Sequence, residues 1–107
     1  MHTIIIYGTG SYVLGNKHVK PVIFPAVITF LKNNGVKAQI IFIKRSDRNI
    51  VLVKKKINQI IKNFNIQISF KIYPLSNIGN SKILKKYENE KIICSIISTP
   101  DNDHFKF

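Results

Sequence analysis

Apolar residues occur along this chain in short blocks, and their spacing switches between two periods. Residues 3–7 read Thr3, Ile4, Ile5, Ile6, Tyr7 without interruption and stop at Gly8. A continuous apolar run this short predicts a strand buried on both faces, as in a parallel sheet. Beyond a polar loop, Val22, Ile23, Ala26, Val27, Phe30 and Leu31 recur at helical spacing. Pro21 and Pro25 suit the first turn of that helix, where an N–H has no partner to lose, and Gly35 is its stop. Residues 37–43 hold a second continuous run, Ile40, Ile41, Phe42, Ile43. Then Ile50, Val53, Ile57, Ile60, Ile61 and Phe64 form one helical stripe, with Lys54, Lys55, Lys56 and Lys62 largely on the opposite face. Residues 66–72 alternate strictly, with Ile66, Ile68, Phe70 and Ile72 against Gln67, Ser69 and Lys71. That period predicts a strand with one well-buried face, as at a sheet edge. Pro74 and Gly79 mark a loop, residues 83–87 a short helix, and residues 91–98 a fourth strand broken by Thr99 and Pro100.

Strands alternating with helices predict an α/β domain, a Rossmann-like parallel sheet with helices on both faces. Right-handed crossovers then favour strand order 3-2-1-4, with the helices at 22–34 and 50–64 on opposite or offset faces. The 107 residues fit one domain, read as a partial dinucleotide-binding domain spanning 1–107, and 45% hydrophobic residues suffice for a core.

Composition adds one strong feature, a net charge of +12 from 17 Lys and Arg against 5 Asp and Glu. Such a charge favours polyanions, phosphorylated ligands or membrane surfaces without choosing among them. No apolar stretch reaches the ~20 residues of a membrane span, so no membrane association is expected. The single cysteine, Cys94, lies in an apolar run, reads as a small core hydrophobe and fits a reducing cytoplasm.

The chemistry is concentrated where the first strand ends. Gly8-Thr9-Gly10 opens a G-x-G-x-x-G pattern, but the third position holds Val13 and the next glycine is Gly15. In a sheet of order 3-2-1-4, this loop leaves the sheet where strand order reverses, the usual ligand position of open α/β sheets. Gly8 allows a tight turn, Gly10 lets a pyrophosphate approach the backbone, and a helix starting near Pro21 or Pro25 would direct N–H groups at phosphate. Lys17, His18 and Lys20 add charge nearby. The stretch from Gly10 to Lys17 also approaches a P-loop, but Asn16 precedes the lysine and His18 stands where a hydroxyl is needed.

The fourth strand continues Ser98-Thr99-Pro100-Asp101-Asn102-Asp103-His104. G-x-G after the first strand, combined with an apolar strand ending T-P-x-x-x-H, resembles the N-terminal domain of the glucose–fructose oxidoreductase/inositol dehydrogenase (Gfo/Idh/MocA) family, over nearly the whole chain. The resemblance implies an NAD(P)-dependent oxidoreductase acting on sugars or cyclitols. By position, Gly8, Thr9, Gly10, Ser11 and Tyr12 would line the pyrophosphate. Ser98, Thr99 and Pro100 would border the cofactor, and His104 would open the following helix. The family's catalytic lysine, in an E-K-P motif, and its substrate domain have no counterpart in these residues. The expectation is therefore cofactor binding without turnover by this chain alone.

An acidic residue at the end of the second strand commonly holds the ribose 2′-hydroxyl of NAD. Here that strand runs into Lys44, Arg45 and Ser46, about 34 residues beyond Gly10 rather than the usual ~20. Lys44, Arg45 and Ser46 suit a 2′-phosphate, so NADP is the expected cofactor; Asp47, a few residues on, keeps NAD as the alternative. His104 with Asp101 and Asp103 reads as a helix cap with solvent-facing charge rather than a metal site. The rival functions are a small basic nucleic-acid-binding protein and a non-catalytic nucleotide-binding module. Against nucleic acid as partner, the aromatic residues fall at core positions and no recognition motif occurs. An uncovered fourth strand also predicts self-association through the sheet edge.

Overall fold

A computed structural model describes residues 2–44, 47–74 and 91–97, the last stretch by its backbone. It is an α/β structure built on a parallel sheet. The elements are β1 (His2–Tyr7), α1 (Ser11–Leu14), α2 (Ile23–Asn34), β2 (Ala38–Lys44), α3 (Ile50–Asn63), β3 (Ser69–Pro74) and β4 (Lys91–Ile97). The sheet runs in the order β3-β2-β1-β4, and each neighbouring pair is parallel.

The central strands are apolar on both sides because both sides are buried. Ile4, Ile5, Ile6, Ile40, Ile41 and Phe42 are all at 0–1% exposure. Ile4 and Ile6 sit beside Ile40 and Phe42, which sit beside Phe70 and Ile72. Val13, Phe24, Ile28, Leu31, Val53 and Ile57 pack onto this face. Ile5, Tyr7, Ile41 and Ile43 form a second cluster on the opposite face, with Tyr73 against it. Toward the amino ends of the strands, buried Thr3 accepts a hydrogen bond from Gln39 Nε2 at 3.1 Å, so its hydroxyl is not left unpaired.

Both α2 and α3 therefore cover the same face, which corrects the expectation that they lie on opposite or offset faces. The reason is topological. The β1-to-β2 and β2-to-β3 connections step in the same direction across the sheet, and two right-handed crossovers in one direction place their helices on one side. The short helix expected at residues 83–87 lies outside the described residues.

Local sequence explains the helix boundaries. Pro25 sits in the first turn of α2, where its missing N–H costs nothing. At the other end Gly35 has φ 62°, its N–H reaches the Lys32 carbonyl, and the Val36 N–H reaches the Leu31 carbonyl at 3.0 Å. That double closure is a Schellman motif, with Val36 packed on the core beside it. β3 starts at Ser69, later than the alternation predicts, because β2 offers its first partner there, Gln39 opposite Ser69. Ile66 and Ile68 precede that pairing but still pack against the core.

Candidate functional site at the carboxyl ends of the strands

Three strand ends converge. Tyr7, the last residue of β1, lies between Ile43 of β2 and Ile97 of β4. The Gly8 N–H extends the ladder by one bond, to the Ile43 carbonyl at 2.9 Å. Gly8 has φ 117°, a conformation that L side chains rarely adopt, so a glycine is needed for the chain to leave the strand this way. Thr9 is half-buried and Gly10 is exposed.

Gly10 caps α1, and the Val13 and Leu14 N–H groups both return to its carbonyl at 3.0 Å. The helix is a single turn. Its last bond runs from the Gly15 N–H to the Ser11 carbonyl at 2.8 Å. The chain then turns through Asn16, whose Oδ1 accepts from the N–H groups of His18 and Val19, both at 2.8 Å. The Val22 N–H is tied to the Tyr12 carbonyl at 3.0 Å, and α2 begins at Ile23. The glycine turn thus feeds α1 first, which revises the expectation that the Pro21/Pro25 helix follows it directly.

Val13 is fully buried within the core cluster that includes Ile4, Ile6 and Phe24. Where the dinucleotide fingerprint uses a third glycine to bring helix and strand close, this chain uses an apolar side chain as packing between them. Val13 thus anchors the turn to the core.

Of the residues singled out from sequence, Gly8, Thr9, Gly10, Ser11 and Tyr12 form this turn. Ser11 is half-buried, and the Tyr12 side chain is 61% exposed. Lys44 is the last residue of β2, half-buried and level with Pro74 of β3. Arg45, Ser46, Ser98, Thr99, Pro100 and His104 lie outside the described residues. The pairing of Ile97 with Tyr7 nevertheless brings the strand that leads into Ser98 alongside the glycine turn. Lys17 and Lys20 line a groove against α3 that the glycine turn does not share. Among the described residues no group of His, Cys, Asp and Glu is arranged to hold a metal, and no helix is long and apolar enough to cross a membrane.

Sequence reading missed two features here: the one-turn α1, too short to show a period, and the closed loop at Asn16. An asparagine directly after Gly15 and before the polar pair Lys17-His18 was the available signal for the second.

Tyr7 lies just beneath the turn at 5% exposure, and burial pushes its phenol above the ordinary value of 10.0. The folded state thus holds this proton more tightly than the unfolded chain. The resulting stability is intact below about pH 10 and is lost as pH rises through the folded-state value. In a tyrosinate absorbance titration of the folded protein, one component should titrate late, and Tyr7→Phe should remove it. A variant that keeps the late component would show that the assignment to Tyr7 is wrong.

No protein-family profile matches the chain, and neither a curated protein nor a solved structure gives a significant match.

Proposed function

We propose that the chain is a Rossmann-type dinucleotide-binding domain, the NAD(P)-binding part of an oxidoreductase of the Gfo/Idh/MocA kind whose substrate is a sugar or cyclitol, working in the cytoplasm. The observation that carries this reading is Gly10. Its φ of −75° is open to any residue, and a Cβ built there meets no heavy atom within 4 Å. The fold therefore has no need of a glycine at this position, whereas a pyrophosphate lying against the backbone does. The N–H groups of Gly10, Ser11 and Tyr12 donate to no backbone carbonyl among the described residues, leaving donors for phosphate oxygens. Because α1 is a single turn, these individual donors would hold the anion, with little help from a helix dipole.

NADP(H) is the preferred cofactor in this reading, with Arg45 and Ser46 as the chief 2′-phosphate ligands and Lys44 beside them. Charge-assisted hydrogen bonds contribute ~1.5–3 kcal/mol each, so one or two amount to tens- to hundreds-fold preference over NAD(H). Self-association through β4, an edge of the described sheet, belongs to the same reading.

The test is calorimetric titration with NADPH and NADH. Wild type should bind NADPH more tightly, Arg45→Ala should lose that preference, and Gly10→Ala should weaken both cofactors about tenfold or more. Undiminished binding by Gly10→Ala, or no binding by wild type, would refute the proposal.

A further inference from the structure

The loop after α1 and the flank of α3 enclose an open groove of about 540 Å³. Three lysines line it: Lys17 and Lys20 from the loop and Lys56 from α3. No acidic residue lines it, and Asp47 is the single carboxylate among all described residues. The remaining polar lining is largely carboxamide, from Asn16, Gln59 and Asn63.

Lys56 is held by its side chain, and the exposed Lys17 and Lys20 are carried on a loop whose backbone is fixed. Asn16 closes its loop three times, through the two bonds its Oδ1 accepts and through its own N–H to the Val19 carbonyl at 2.8 Å. The backbone at Lys17 is thereby fixed inside the turn, and Lys20 comes directly after the turn's last residue, Val19. The half-buried Lys56 reaches across from α3, its Nζ 3.4 Å from the Gly15 carbonyl. That carbonyl gives Lys56 a hydrogen bond, and no carboxylate of the described residues lines the groove beside it. Three lysines around one groove that no described carboxylate lines give it a positive potential, which an anion would neutralise.

We propose that this groove binds the phosphate backbone of nucleic acid, independently of the glycine turn. The groove is open, and its carboxamide lining rather than its depth favours nucleic acid over a membrane surface. Carboxamides and lysines are the side chains that bond phosphate and sugar oxygens, and no aromatic ring lines the groove to stack on bases. Recognition is therefore of the backbone, without sequence preference and strongly dependent on salt.

The experiment is fluorescence anisotropy of a labelled random-sequence DNA duplex across a salt series. Wild type should bind at low salt, and each phosphate contact should contribute about 0.9 to the slope of log affinity against log salt. The triple variant Lys17→Gln/Lys20→Gln/Lys56→Gln should bind roughly tenfold or more weakly, with a slope shallower by about 2–3. A control triple, Lys32→Gln/Lys37→Gln/Lys71→Gln, removes the same charge from positions outside the groove and should bind nearly as wild type does. Thermal melts of both triples establish that they are folded. Equal losses in the two triples would reduce the effect to net charge and overturn the proposal, as would the absence of duplex binding at low salt. Loss of binding to anionic phospholipid vesicles in the groove triple, with duplex binding unchanged, would assign the groove to membranes and overturn it too.

Discussion

Phe42→Ala is expected to destabilise the fold by about 3–5 kcal/mol, a large share of the roughly 5–15 kcal/mol available to a domain of this kind. Phe42 has no exposed surface and lies in the middle of β2. Its ring meets Phe24 of α2 edge-on, with centroids 5.1 Å apart and planes at 77°. On its other side it meets Phe70 of β3 at 6.3 Å and 85°. One side chain thus links the helical layer to two strands of the sheet. Truncation removes its own transfer free energy, leaves a cavity, and deletes two edge-to-face contacts of the sort that contribute ~0.5–1.5 kcal/mol each. Urea unfolding measures this, with Phe30→Ala as the comparison, because Phe30 is 47% exposed and should lose far less. A shift in Phe42→Ala below about 1 kcal/mol would mean that β2 is not packed in this way.

Gly15→Ala is the second large effect, and it should separate sharply from Gly10→Ala. Gly15 has φ 78° and ψ 169°, a region that only glycine occupies without strain. A Cβ there would also stand 2.7 Å from Pro21 Cδ and 2.9 Å from Pro21 N. The obstacle is a ring and a backbone atom, neither able to swing aside. Strain of ~1–3 kcal/mol for the dihedrals plus displacement of the Pro21 segment gives an expected loss of about 2–4 kcal/mol. Gly10→Ala, unstrained and in open space, should stay within about 0.5 kcal/mol of wild type. Denaturant midpoints on the two variants decide it, and a Gly15→Ala protein as stable as Gly10→Ala would contradict the described loop. The contrast also separates two kinds of glycine in one loop, since the fold requires Gly15 and leaves room for a side chain at Gly10.

Much of this architecture is readable from the residues. The unbroken runs at Ile4–Ile6 and Ile40–Ile43 announce strands buried on two sides, and a helix ending at Gly35 follows from an apolar stripe with a glycine after it. The strand at Ser69–Pro74 shows its half-buried character in its alternation. What stays hidden is whatever depends on partners distant in sequence. α1 has four residues, fewer than needed to reveal a helical period, so Val13 reads as a failed glycine until Ile4, Ile6 and Phe24 are seen around it. Lys56 looks like one cation of a solvated face, because nothing local indicates that its ammonium meets the Gly15 carbonyl 41 positions away. Of the candidate site, Gly8 to Tyr12 and Lys44 were legible because motif and strand ends coincide. That Lys17 and Lys20 belong to a different groove was not, since the turn that redirects them is made by a single asparagine.

The place of β1 inside the sheet has a consequence for how the chain is assembled. β1 is synthesised before both of its neighbours, His2 standing opposite Ala38 on one side and opposite Lys91 on the other. A nascent chain can complete β1, β2 and β3, with both crossover helices, from local segments that follow one another. The second edge of β1 stays unpaired until residues 91–97 have been made. Closing that longer loop costs only about 0.8 kcal/mol more than closing the shorter one, because the entropy grows with the logarithm of length. The delay is therefore set by time on the ribosome more than by free energy, and among the described strands β1 waits longest for its second neighbour.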